Sequence, residues 1–198
     1  MTADDIQRIL AALILIVGVG ISTYFRLRAD RISGERISMR DDARSINLVL
    51  RLGGLLLWLT PIIYIAAPGW LAWSSLGLPD WAGWIGAALG LLCDGLIYWI
   101  FSSIGTGITP SVSTRRQHTL VTDGPYRWVR HPLYTVGTTF FLAFALMADS
   151  WLIAILAALA FVLLAVRTRS EEAHLIGRFG DAYRSYMRRT GRFFPRVF

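Results

Sequence analysis

The chain has 198 residues, enough for one compact domain, with 55% apolar and only 17% charged side chains and a mean hydropathy of +0.51. A water-soluble domain of that size needs a more polar surface. All 20 basic side chains are Arg and the net charge is +7, but the arginines stand between long apolar runs. That pattern fits loops beside anionic headgroups rather than a nucleic-acid surface, and no nucleic-acid motif is present. Cys93 is the single cysteine, which excludes an intrachain disulfide and a cysteine metal cluster.

A spanning helix needs about 20 mostly apolar residues. Residues 9–25 carry no charge and predict a first span, with Arg26, Arg28 and Arg31 as its stop. Asp4 and Asp5 in its leader, and no small-residue cleavage site after it, argue against a removed signal peptide. Residues 52–67 predict a second span with Pro61 as a kink. Residues 81–104 predict a third, interrupted only by Asp94, an acid whose cost inside a bilayer marks it as a functional candidate or as the cap of a kink near Gly95. Residues 133–148 and 151–166 predict a fourth and fifth, joined by the short turn 147–150 as a tight hairpin.

The arginines set an orientation. Seven fall in 26–51, four in 115–130 and eight from 167 onward, whereas 68–80 and 147–150 have none. Five spans put all three Arg-rich segments on one face, the cytoplasmic one, with the N-terminus outside. Trp70, Trp73, Trp81, Trp84 and Trp151 then line the outer interface as an aromatic belt. The expectation is a single all-α integral membrane domain over 1–198, placed in a bacterial inner membrane.

The polar stretch 109–130 is too long for a mere connector. Gly124-Pro125 signals a turn, and Pro132 suits the first turn of the fourth span. Arg130 and His131 then stand at a helix N-terminus, where free N–H groups hold anions. After the fifth span, 171–189 predicts one amphipathic helix. Leu175, Ile176, Phe179, Tyr183, Tyr186 and Met187 form its apolar stripe, and it lies on headgroups or closes over a pocket. One cytoplasmic pocket is expected to collect His118, Tyr126, Arg130, His131, Tyr134, Arg167, Glu171 and Glu172.

The run His-x-Leu-Val-(x)2-Gly-Pro-Tyr-(x)3-Arg-His-Pro-x-Tyr-(x)2-Gly at 118–137, and Arg-(x)3-Glu-Glu at 167–172 followed by Phe179-Gly180, Tyr183, Tyr186 and Pro195, resemble the isoprenylcysteine carboxyl methyltransferase family. That family is related to the membrane phospholipid N-methyltransferases, and the resemblance covers about half of the chain, 105–196. It implies S-adenosylmethionine as cofactor, held by His118, Leu120, Val121, Tyr126, His131, Pro132, Leu133, Tyr134 and Glu171. It implies Arg167 as the anchor of a substrate carboxylate, and Gly105 and Gly107 match a Gly-x-Gly of the phospholipid enzymes.

Methyl transfer to an anionic nucleophile needs positioning and water exclusion more than acid–base help. An amine acceptor also needs a base, for which Glu171, Glu172 and His118 are candidates. The expected catalytic set is Arg167, Glu171 and Glu172, the acceptor amphipathic or lipid-like, with membrane lipids as surroundings and no metal. Two other readings stand beside this one: an NADPH-dependent sterol or steroid reductase, whose family shares an Arg-His-Pro element, and a non-catalytic membrane scaffold.

Overall fold

The computed structural model describes residues 2–33, 44–104 and 120–196, the side chains of 32, 33 and 44–51 aside. Among these described residues six α-helices follow one another: α1 Ala3–Ser33, α2 Arg44–Ala66, α3 Trp81–Ile104, α4 Pro132–Met147, α5 Trp151–Phe179 and α6 Asp181–Arg189. Each long helix coincides with an apolar run, because a bilayer leaves backbone polar groups no partner except within the helix itself.

Among the described residues, three helices are long and apolar enough to cross a membrane: α1, α3 and α5. A fourth crossing arises if α2 and the 3-10 turn Pro68–Ser74, which meet at 117°, count as one bent span. The predicted fourth span is α4, apolar but 16 residues long. At 1.5 Å per residue it reaches about 24 Å, short of a hydrocarbon core of about 30 Å.

Helix α3 packs on α1 and α4, and α5 packs on α4 and α2. Ile14, Phe140, Phe144 and Ile153 are fully or almost fully buried where these helices meet. Pro61 lies inside α2, and Pro132 opens α4 as its sequence position predicts.

The tail differs from the single helix expected over 171–189. Helix α5 runs unbroken from the apolar segment through Arg167, Glu171 and Glu172 to Phe179. Gly180, at φ +55°, then turns the chain before α6 begins at Asp181. A left-handed φ ends α-helices and favours glycine. The apolar stripe is also used differently: Tyr183 and Tyr186 are buried within the protein, so α6 rests on the bundle through that face.

At the far end of the α4–α5 hairpin, Ser150 caps α5 by accepting a hydrogen bond from the Ile153 N–H at 3.4 Å. Its hydroxyl meets that of Ser74 at 2.7 Å, with both residues buried. Asp149 accepts hydrogen bonds from the backbone N–H groups of Leu76, Gly77 and Leu78 and from the Ser75 hydroxyl. Burial opposes the Asp149 charge, but these four donors outweigh it and hold the carboxyl below its usual range. Trp73 and Trp151 meet edge to face at 5.2 Å, and Trp70, Trp81 and Trp84 are exposed at this same end.

Candidate active site at the head of the α4–α5 pair

The linker into α4 is shaped by a 3-10 turn, Gly124–Arg127, that buries Pro125 and Tyr126. Tyr186 of α6 donates its phenolic hydrogen to the Tyr126 carbonyl at 2.6 Å. Burial pushes that phenol up to about 12, the Arg130 charge working the other way, so it stays a neutral donor.

Beyond the turn, the linker pairs with the segment that follows α6. Val129 and Gly191 form a parallel bridge. Gly191 N–H donates to Trp128 O at 3.0 Å, Arg130 N–H to Gly191 O at 2.9 Å and His131 N–H to Arg192 O at 3.0 Å. Backbone groups left bare by the end of one helix and the start of another thus satisfy each other.

This pairing brings the α4 entrance onto the paired acids of α5. The Tyr134 hydroxyl reaches both carboxylate oxygens of Glu171 at 2.8 Å, and Arg167 Nε lies 2.9 Å from Glu171 Oε1. Glu172 is 3% exposed. Arg130 Nε sits 2.8 Å from its Oε1, and Arg192 Nη2 reaches its Oε2. Arg130 Nη1 also donates to the carbonyls of Met187 and Thr190. One guanidinium therefore joins the linker, α5 and the end of α6. Both carboxylates are matched by cations, as buried charges require.

His131 lies between the two acids, its Nδ1 3.8 Å from Glu171 Oε2 and its Nε2 3.5 Å from Glu172 Oε1. Nε2 is buried and makes no hydrogen bond among the described residues. The ring stacks on Tyr134 at 5.5 Å and faces Phe193 at 6.1 Å, and Phe193 meets Phe161 of α5 at 5.0 Å. Thr135 anchors this strap by donating its hydroxyl to Phe193 O at 2.8 Å. One turn along α4 from Tyr134, the space beside Gly137 is open.

Of the predicted site residues, Tyr134, His131, Arg130, Arg167, Glu171 and Glu172 thus come together. Pro132 is buried at the first turn of α4, Leu133 is half-buried against the core, and Leu120 and Val121 are half-buried where the described linker begins. His118, Gly105 and Gly107 lie outside the described residues. Arg130 stands just before α4, and its side chain turns to Glu172 and the Thr190 carbonyl, because a buried guanidinium must satisfy its donors. Thr190, Arg192, Phe193 and Phe161 were not anticipated. No local motif marks them, since they enter through pairings some 20 to 60 residues apart in sequence.

Asp94 is elsewhere. It is buried in α3, its oxygens make no hydrogen bond among the described residues, and it lies ten residues before the α3 end at Ile104, about 15 Å along the axis. No group of three or more His, Cys, Asp or Glu side chains among the described residues is arranged to hold a metal ion.

A model of the phospholipid methyltransferase family matches residues 81–182, from the start of α3 into α6. The chain belongs to the phospholipid methyltransferase family. It is similar to the protein-S-isoprenylcysteine O-methyltransferase of Schizosaccharomyces pombe, 32% identical over 109 residues, 52% of this chain and 46% of that one. It is also similar to the nickel-cobalt-cadmium resistance protein NccN of Alcaligenes xylosoxydans xylosoxydans, 36% identical over 115 residues, 58% of this chain and 53% of the relative. The cobalt-zinc-cadmium resistance protein CzcN of Cupriavidus metallidurans is 39% identical over 87 residues, 43% of this chain and 40% of its own length. The chain spans about half the length of the curated relatives it matches. Its fold is that of the eukaryotic intramembrane Ras methyltransferase ICMT: the TM-score is 0.60 at 19% identity, covering 94% of this chain and 74% of that structure.

Proposed function

We propose that this family member transfers a methyl group from S-adenosylmethionine to an amphipathic or lipid-like acceptor at the cytoplasmic face of a membrane that the chain crosses five times, N-terminus outside, with α2 as a bent span and the bilayer thinned around the short α4. The observation that carries this reading is the meeting of Tyr134 and His131 with Glu171 and Glu172, beside an aromatic strap.

The side chains fit such a cofactor. Glu171 offers a carboxylate to ribose hydroxyls or to an ammonium group, oriented by Tyr134 and Arg167. The His131 and Tyr134 rings offer a stacked edge, with a buried imidazole nitrogen open to a further hydrogen bond. Leu120, Val121, Tyr126, Pro132 and Leu133 line the rest. Bound there, the cofactor supplies a sulfonium methyl for in-line displacement.

Arg167 takes the anionic end of the acceptor, exchanging part of its contact with Glu171. Glu172, held from both sides by Arg130 and Arg192, acts as a positioning residue. If the acceptor is an amine, Glu171 is the base within reach. Phe161 and Phe193 keep water from the site, which favours a step in which opposite charges cancel. The S. pombe relative's name supports a carboxylate acceptor.

The test is to incubate membranes carrying the protein with tritiated S-adenosylmethionine and separate lipid, protein and volatile fractions. Label is expected in an amphipathic fraction and is expected to vanish with Glu171→Ala. Label no higher than in that variant, together with retention of NADPH by the purified protein, would favour the reductase reading and sink this one.

A further inference from the structure

At the end of the bundle opposite the candidate active site, Asp5, Arg8, Ile9, Ala12 and Ile65 line an open surface groove of about 250 Å³. Both charged residues are pinned by neighbours. The Asp5 N–H donates to Thr2 Oγ1 at 3.2 Å while the Thr2 N–H donates to Asp5 Oδ2 at 2.8 Å, a reciprocal cap of α1. Arg8 donates from Nε and Nη2 to the Ile65 carbonyl at 3.1 and 2.6 Å, closing the last turn of α2 with a cation.

These bonds use one oxygen of Asp5 and one edge of Arg8. What is left is Asp5 Oδ1 and Arg8 Nη1, 4.0 Å apart, too far for a hydrogen bond between them. The pair is an anion and a cation held side by side, half-exposed, each with capacity to spare.

Below the pair the surface changes character. Positions 5, 8, 9, 12 and 16 follow the spacing of a single helix face. The first two are charged and the rest are apolar, with Ile9 50% and Ile16 67% exposed, and Ile62 of α2 50% exposed. The stripe from Asp5 to Ile16 is about 16 Å long. Two opposite charges above a bare aliphatic track mirror a molecule that carries an anion and a cation at the head of a hydrocarbon chain.

We infer that this groove binds a zwitterionic glycerophospholipid of the phosphoethanolamine class, its phosphate on Arg8, its ammonium on Asp5 and an acyl chain along Ile9, Ala12 and Ile16. A primary ammonium donates hydrogen bonds to a carboxylate, which a quaternary one cannot do, and an anionic headgroup brings no cation to Asp5. The site is remote from Glu171 and stands whether or not the methyl-transfer reading holds.

Native mass spectrometry of the purified protein tests this with phosphatidylethanolamine, phosphatidylcholine and phosphatidylglycerol of identical acyl chains, and with free phosphoethanolamine. One phosphatidylethanolamine is expected to be retained about tenfold more tightly than the other two lipids, the effect of one charge-assisted contact. Arg8→Gln is expected to lose about that factor, and Asp5→Asn to level the three lipids. Because Arg8→Gln also loosens the α2 end, Ala12→Phe serves as the second variant; it fills the floor without touching either charge and is expected to expel the lipid. Phosphatidylglycerol held as tightly as phosphatidylethanolamine, or retention unchanged in Ala12→Phe, overturns the inference. Free phosphoethanolamine binding as tightly as the lipid also overturns it, in favour of a soluble phosphate ester.

Discussion

The α4–α5 pair is fastened differently at its two ends. At the hairpin turn, Ser150 caps α5 and bonds Ser74, while Asp149 near the surface gathers donors from the loop before α3. At the opposite end, two carboxylates, three arginines and a histidine meet in a largely buried network. A three-residue turn already holds the helices together at the first end, so a serine pair and one carboxylate near the surface, bonded to uncharged donors, suffice. Buried ions are a poor way to gain stability, since desolvation offsets most of their attraction. Their concentration at one end is therefore the physical ground for placing the proposed chemistry there.

The contrast can be broken most decisively at Glu172. Replacing it by Ala strands Arg130 in a buried setting, and a loss of about 3–5 kcal/mol is expected, read by thermal unfolding in detergent. A variant as stable as the parent would mean that the ions do not hold the strap. Midway between the ends, Asp94 has neither kind of support, and a Cβ on Gly18 would lie 2.7 Å from its Oδ1. Gly18→Ala is expected to cost roughly 1–3 kcal/mol through overpacking. Pairing it with Asp94→Ala should recover most of that; no recovery would place the clash elsewhere.

Tyr134→Phe keeps the ring against His131 and deletes the hydroxyl that Glu171 accepts. Affinity for S-adenosylmethionine is expected to fall about tenfold by calorimetry, the effect of one hydrogen bond to a charged group. Ser150→Ala, at the other end, is expected to cost about 1 kcal/mol of stability and leave that affinity alone. An equal effect of both variants on cofactor binding would erase the distinction between the ends.

The smallest expected effect is a pH dependence at the hairpin. The folded Asp149 carboxyl lies below its ordinary value of 3.8, so its contribution is whole above that value and fades as pH falls through the lower, folded one. The unfolding temperature of the parent minus that of Asp149→Asn should shrink on going from about pH 5 to pH 3. A difference that grows with acid has the wrong sign.

Helix α3 was legible because its apolar run starts at Trp81, where the helix begins, and continues to Ile104 broken only by Asp94. The site's two motifs were legible as neighbours because both flank apolar runs and lead to the same face. The break at Gly180 was not, because Leu175, Ile176, Phe179, Tyr183, Tyr186 and Met187 keep helical spacing straight through it. Hydrophobic periodicity does not register a single left-handed residue. Nor could charge alone tell that Arg130 would select Glu172 and the Thr190 carbonyl, since that choice depends on the Val129–Gly191 bridge.

Because α5 is one uninterrupted rod of 29 residues, its phase is shared from hairpin to acids. Adding or deleting a single residue between Trp151 and Arg167 would rotate everything beyond it by about 100° and shift it by about 1.5 Å. Glu171 and Glu172 would then swing away from Tyr134 and Arg130 together. Length changes in this stretch should therefore be far less tolerable than side-chain changes on its outward face, where Leu159 and Val162 stand exposed.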